Sequence, residues 1–185
     1  MIDVIEITIE EFKNEIYNKY TKLFPRAEQR NWNKIVNTSN MGIEKFYKII
    51  YENKTIGFFL LEKISDEYPF YLDYFAIYKE YQNKGYGTKA IQTLLSKIIN
   101  NSGLIAEIEK ECEDNPITIK RFEFYKRLGF KKIESEYLLY NVYYNPIVYC
   151  EFGKINKEKY DRIFFDYYLI NCGETEVKNN CKTVR

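Results

Sequence analysis

A strand-forming run at residues 71–78, Tyr-Leu-Asp-Tyr-Phe-Ala-Ile-Tyr, gives way within a few residues to Gln82-Asn83-Lys84-Gly85-Tyr86-Gly87, and then to a helix-periodic run from Thr88. Glycines at 85 and 87 leave successive backbone N–H groups unshielded at the mouth of a helix. Orphan donors and the positive end of the helix dipole suit a pyrophosphate there. A glycine-spaced turn also serves an ordinary helix start, so this passage alone leaves both readings open. A second element follows at residues 121–130, Arg-Phe-Glu-Phe-Tyr-Lys-Arg-Leu-Gly-Phe, which sets Tyr125 four residues before a glycine–phenylalanine helix stop.

Strands and helices alternate along the chain. Residues 2–7 read as a strand, and Thr8-Ile9-Glu10-Glu11 is a capping-box signature opening a helix to about Leu23. Phe24-Pro25 breaks it, and a second helix is expected over 26–36, carrying Glu28, Arg30 and Trp32. Strands at 46–51 and 56–64 are joined as a hairpin at Glu52-Asn53-Lys54. After the glycine turn, Ala90, Ile91, Leu94, Leu95, Ile98 and Ile99 recur at the spacing of one buried helix face. A short strand at 104–109 precedes a helix begun by Asn115-Pro116 and closed by Gly129. Strands near 130–140 and 147–152 and an amphipathic helix over 157–170 follow. No repeat or linker divides residues 1–171, which read as a single domain, and the polar tail 172–185 is expected to be mobile.

Taken together, the glycine turn and the tyrosine helix resemble the GNAT superfamily of acyl-CoA-dependent N-acyltransferases. The resemblance covers about residues 45–150 in element order. Gln82, Gly85 and Gly87 fill the family's first motif; Thr118, Arg121, Tyr125, Gly129 and Phe130 occupy the positions of its second. Thr118 stands where the family commonly has asparagine, and Arg121 where it has alanine. The resemblance implies an α/β, mixed α+β fold: a central, mostly antiparallel sheet of about six or seven strands with helices on both faces, plus an additional C-terminal helix. It implies acetyl-CoA as co-substrate. Gln82, Asn83, Lys84, Gly85, Tyr86, Gly87 and Thr88 would hold the pyrophosphate, and Phe75, Ala76 and Ile77 would pair strand-like with pantetheine, with an N–H near Ile77 as oxyanion donor. Thr118, Arg121 and Tyr125 would complete the cofactor contacts, a threonine hydroxyl replacing part of what asparagine offers.

For the chemistry, Tyr125 is the general-acid candidate by resemblance, since a phenol stays protonated at neutral pH and can donate to a departing thiolate; a core aromatic beside Phe124 and Phe130 is the plain alternative. The chain has no histidine, so a base must be a carboxylate, a tyrosine acting through water, or water. Asp73 lies mid-strand on the face of Tyr71 and Phe75, and Glu107 and Glu109 share a face of the next strand. Buried unpaired carboxylates cost several kcal/mol, which suits either a wet notch for a cationic amine or an exposed strand end. Asp73 and Glu107 are the stronger candidates. Where many family members carry an acid, this chain carries Tyr71.

The segments that would choose an acceptor, 11–40 and 138–146, show no motif; Glu28 and Arg30 could line its mouth or form a solvated pair. A small amine or a peptide amine is expected as acceptor. The alternative is a coenzyme A-binding sensor or interaction module that has lost turnover. With 28 basic against 27 acidic residues the net charge is +1, which argues against nucleic acid as a main partner. No stretch has the roughly 18 apolar residues of a membrane span, and no signal core opens the chain, so a cytoplasmic location is expected, with self-association as a homodimer left open. Cys112, Cys150, Cys172 and Cys181 form no C-x-x-C pair; without histidine they read as reduced structural thiols and no metal is expected.

Overall fold

The computed structural model of the protein describes residues 1–100, 102–149 and 155–184. Its contacts group into two compact units, Met1–Lys63 with Leu72–Ile98, and Ile64–Tyr71 with Ile99–Arg185. Nine strands are formed among the described residues.

In the first unit, β1 (Ile2–Ile7) leads into α1 (residues 9–23), which contains a π-helical turn at Phe12–Ile16. The expected capping box opens it: Glu11 N donates to Thr8 Oγ1 at 3.2 Å and Thr8 N donates to Glu11 Oε2 at 2.8 Å. Phe12, Ile16 and Tyr20, one helical face at four-residue spacing, are fully buried against Phe46, Phe58 and Tyr74. The helix expected over 26–36 does not form as such. A 3-10 turn at Arg26–Glu28 is followed by an extended segment, and α2 (Trp32–Asn40) begins only at Asn31, whose side chain accepts from Asn33 N at 2.9 Å.

Then come β2 (Glu44–Tyr51) and β3 (Lys54–Glu62), antiparallel and joined by Glu52 and Asn53, both with left-handed φ (49° and 59°), as a two-residue hairpin requires. β4 (Phe70–Ile77), whose first two residues belong to the second unit, ends at a 3-10 turn, Lys79–Tyr81, before α3 (residues 86–99). The unit's strand order is β1-β2-β3-β4. A Cβ at Gly57 of β3 would lie 2.3 Å from Ala76 O of β4, so only glycine admits that approach.

The second unit continues with β5 (Leu104–Glu109), α4 (Pro116–Arg127), β6 (Lys131–Lys132), β7 (Tyr137–Leu139), β8 (Val142–Tyr149), α5 (Lys157–Cys172), α6 (Glu174–Asn180) and β9 (Cys181–Thr183). The start of β4 pairs parallel with β5 through Phe70–Leu104 and Tyr71–Ile105; β5-β8, β8-β7 and β7-β9 are antiparallel, and β6 also pairs β8. The strands are mostly antiparallel, as expected; the run at 130–140 is divided into β6 and β7, and β9 is added, so nine strands stand among the described residues against about six or seven expected. In the tail, left-handed Gly173 (φ 86°) turns the chain from α5 into α6, and β9 pairs with β7. Residues 150–152 of the expected last strand, and Cys150 with them, lie outside the described residues. Cys112 is exposed, Cys172 half-buried and Cys181 buried, all as free thiols. No helix among the described residues is long and apolar enough to cross a membrane.

Candidate active site

The glycine turn is built from β4 outward. Gln82 Nε2 donates to Ile77 O at 2.8 Å, which ties the loop to the end of the strand, and Lys84 Nζ donates to Glu80 O at 2.9 Å. Asn83 (φ 60°) and Gly85 (φ 76°) are both left-handed, and Gly85 occupies the position before the first turn of α3. No atom lies within 4 Å of where a Cβ of Gly85 would stand, so open space adjoins the loop there. A helix cannot satisfy its own first N–H groups, so those at the start of α3 point out of the helix end. Residues 82–85 are exposed, while Tyr86, Gly87 and Thr88 are half-buried. The Tyr86 ring packs on Tyr51, with centroids 4.7 Å apart, and thereby fixes the helix end to the sheet. Within β4, Phe75 stacks on Phe59 at 4.7 Å and 14°, and Ile77 is buried.

Asp73, also on β4, is the outer member of a charged cluster that the sequence did not disclose. Arg30 Nη1 donates to Glu44 Oε2 at 2.7 Å, Glu62 Oε1 at 2.7 Å and Asp73 Oδ2 at 2.6 Å, and Nη2 donates to Thr38 Oγ1 at 2.8 Å. Each of the three carboxylates offers an oxygen within 4.8 Å of the other two, a spacing that would suit a metal ion, but a guanidinium nitrogen contacts all three. Glu44 and Glu62 side chains are fully buried; those of Arg30 and Asp73 are about a tenth exposed. Burial pushes the Glu44 carboxyl well above the usual range, Arg30 opposes this, and the neighbouring Glu62 and Asp73 charges add to it. The Arg30 backbone is held as firmly: its N–H donates to Tyr20 Oη at 2.8 Å and Tyr74 Oη at 3.1 Å, while Tyr74 Oη donates to Glu28 O at 2.6 Å. Arg30 is thus neither in a helix nor a solvated partner of Glu28; it straps segment 24–31 to the sheet.

In the second unit, Glu107 of β5 accepts from three phenols. Tyr71 and Tyr160 (2.7 Å) donate to Oε1 and Tyr168 donates to Oε2 at 2.6 Å. Glu109, two residues further along β5 and also half-buried, lies 3.1 Å from Arg121 Nη1. Tyr125 of α4 is buried between Phe124 and Phe130, with centroids 5.0 and 5.1 Å away in edge-on geometry. Burial pushes its phenol up to about 12, with Arg121 pulling the other way, so it keeps its proton at any physiological pH. Thr118 is 3% exposed and its hydroxyl donates to Asn115 O (2.8 Å) while accepting from Cys112 N (2.9 Å). That hydroxyl holds the turn before α4, and its one proton is not available for the ligand contact that asparagine would make.

Residues 42–132 match the family model of the acetyltransferase (GNAT) domain. Among solved structures, a GNAT-family acetyltransferase of Bacteroides thetaiotaomicron superposes with a TM-score of 0.78 at 22% identity, covering 93% of this chain and 99% of that one. Arabidopsis thaliana NAA60, solved with acetyl-CoA, superposes at 0.61 with 15% identity, covering 83% of this chain and 100% of its own. The Escherichia coli ribosomal-protein-S18-alanine N-acetyltransferase does so at 0.59 with 14% identity, covering 84% and 98%. A search of curated proteins finds no match to the sequence. The domain match falls on β2 through β6, the stretch that holds the glycine turn and the tyrosine helix, and over residues 42–132 the chain carries an acetyltransferase (GNAT) domain.

Proposed function

We propose that the protein moves an acetyl group from acetyl-CoA to a primary amine by direct attack, without an acyl-enzyme. The observation that carries this reading is the end of β4: a left-handed glycine with open space beside it at the mouth of α3, tied back to the strand by Gln82. The backbone N–H groups of residues 83–88 bind the pyrophosphate, and the backbone of residues 75–77 orients pantetheine. Tyr125 donates a proton to the departing thiolate. Glu107 is the favoured base, directly or through a water, because the partners that hold it are neutral hydroxyls, whereas Asp73 is ion-paired with the Arg30 guanidinium. Likeness to a ribosomal-protein-S18-alanine N-acetyltransferase favours a peptide amine over a small one.

The test is free-thiol release from acetyl-CoA with a pool of spermidine, lysine amide and tripeptide amides, products being read by mass spectrometry. Acetylated amine appearing in step with thiol is expected. Acetyl-CoA binding with no thiol release over the pool would instead support a coenzyme A-binding module of the same fold, for which the commitment of Thr118 to its turn is the one favouring feature.

A further inference from the structure

Two of the three phenols on Glu107 come from the C-terminal helix. Tyr160 and Tyr168 stand two turns apart on α5, on one face with Tyr167, whose ring stacks on Tyr71 with centroids 3.7 Å apart and planes 8° from parallel. Tyr71 and Tyr160 Oη are 3.4 Å from each other, so Oε1 of Glu107 faces a buried pair of hydroxyls. Oε2 accepts from Tyr168, and Tyr168 and Glu107 are the half-buried members of the group. A helix could be cemented to a sheet by apolar side chains at less cost than by a desolvated carboxylate. Three donors converging on one acid make sense where the acid must be kept charged and aimed in one direction.

Resting on the reading of Glu107 as base, we propose that Tyr168 is a positioning residue for the acetyl transfer: the C-terminal helix completes the site by fixing the Glu107 carboxylate through Oε2. The phenol hydrogen bond stabilises the anion, so its loss makes Glu107 easier to protonate. Other titratable groups facing Glu107 are Tyr71 on β4, Tyr160 on α5, Tyr137 on β7 and the Cys181 thiol on β9. Burial pushes all four up, so none of these four changes charge between pH 5 and 9; the acidic limb carries Glu107 together with the acceptor amine, whose own titration is the same for every variant.

Tyr68 supplies the control. Its hydroxyl donates to Asp166 Oδ2 at 2.6 Å, a phenol–carboxylate bond to the same helix that does not involve Glu107. The experiment is the pH profile of thiol release from acetyl-CoA with the amine pool, for the parent, Tyr168→Phe and Tyr68→Phe, with thermal melts of each. Both variants should lose comparable stability. In Tyr168→Phe alone the acidic limb should move up by about one pH unit, with the KM for acetyl-CoA unchanged. Equal limbs in all three proteins would overturn the proposal while leaving transfer intact. No thiol release by the parent would sink the transfer reading and this inference together.

Discussion

Replacing Arg30 with methionine should cost about 3–5 kcal/mol of folding stability, the usual consequence of stripping the partner from buried charge. Methionine fills the volume of the arginine stem, so the loss reports on Glu44, Glu62 and Asp73 left facing one another, rather than on a cavity. For a chain of this length the thermal midpoint should fall by on the order of 10 °C. A drop of a degree or two in calorimetry would mean that the cluster is hydrated and the strap unimportant. A companion variant isolates the proton. Unfolded, the Glu44 carboxyl titrates near about 4.3; folded, burial holds it higher. Between those two values the folded protein keeps a proton that the unfolded chain has released, so this group's contribution falls as pH rises through that window and is constant above it. Glu44→Gln mimics the protonated side chain and should therefore gain on the parent as pH goes from 4 to 8. A stability difference independent of pH would contradict the assignment.

Tyr125→Phe should lower turnover about 10²-fold or more while leaving acetyl-CoA affinity and the melting temperature nearly unchanged. The ring contacts with Phe124 and Phe130 survive the change, so packing is preserved and only the proton donor is removed. Because burial holds the phenol near about 12, it adds no limb to the rate profile below pH 10, and the loss should be the same at pH 6 and pH 9. Thiol release at the parent's rate would make Tyr125 a packing residue and leave solvent to protonate the thiolate.

What could be read in the residues, and what could not, divides by sequence separation. β4, the glycine turn and α3 were legible because strand, left-handed turn and helix start are set by neighbours within a few positions, and Asn115-Pro116 and Gly129 likewise bracket α4. The Arg30 cluster was not, since its carboxylates lie 14, 32 and 43 residues away on three strands and only the folded sheet brings them together. The helix start after Arg30 had a local signal, Asn31 before Trp32, that a helix begun directly after the Phe24-Pro25 break passes over. Glu107 drew notice as an acid inside a strand, but its tyrosines come from 36, 53 and 61 residues off. The tail looked mobile because α6 and β9 are too short to show a period; Gly173 was the punctuation that marked them.

The cradle itself is tested most directly by titrating acetyl-CoA calorimetrically into the parent and into Gly87→Asp. Gly87 lies in the first turn of α3, where an acidic side chain is favourable to the helix, so the variant should melt at or above the parent's temperature. The same charge opposes a pyrophosphate at the helix mouth. Saturable binding by the parent, lost or weakened at least tenfold in a folded Gly87→Asp protein, is the expected result. Equal affinity in the two proteins would place coenzyme A elsewhere and contradict the assignment of residues 82–88.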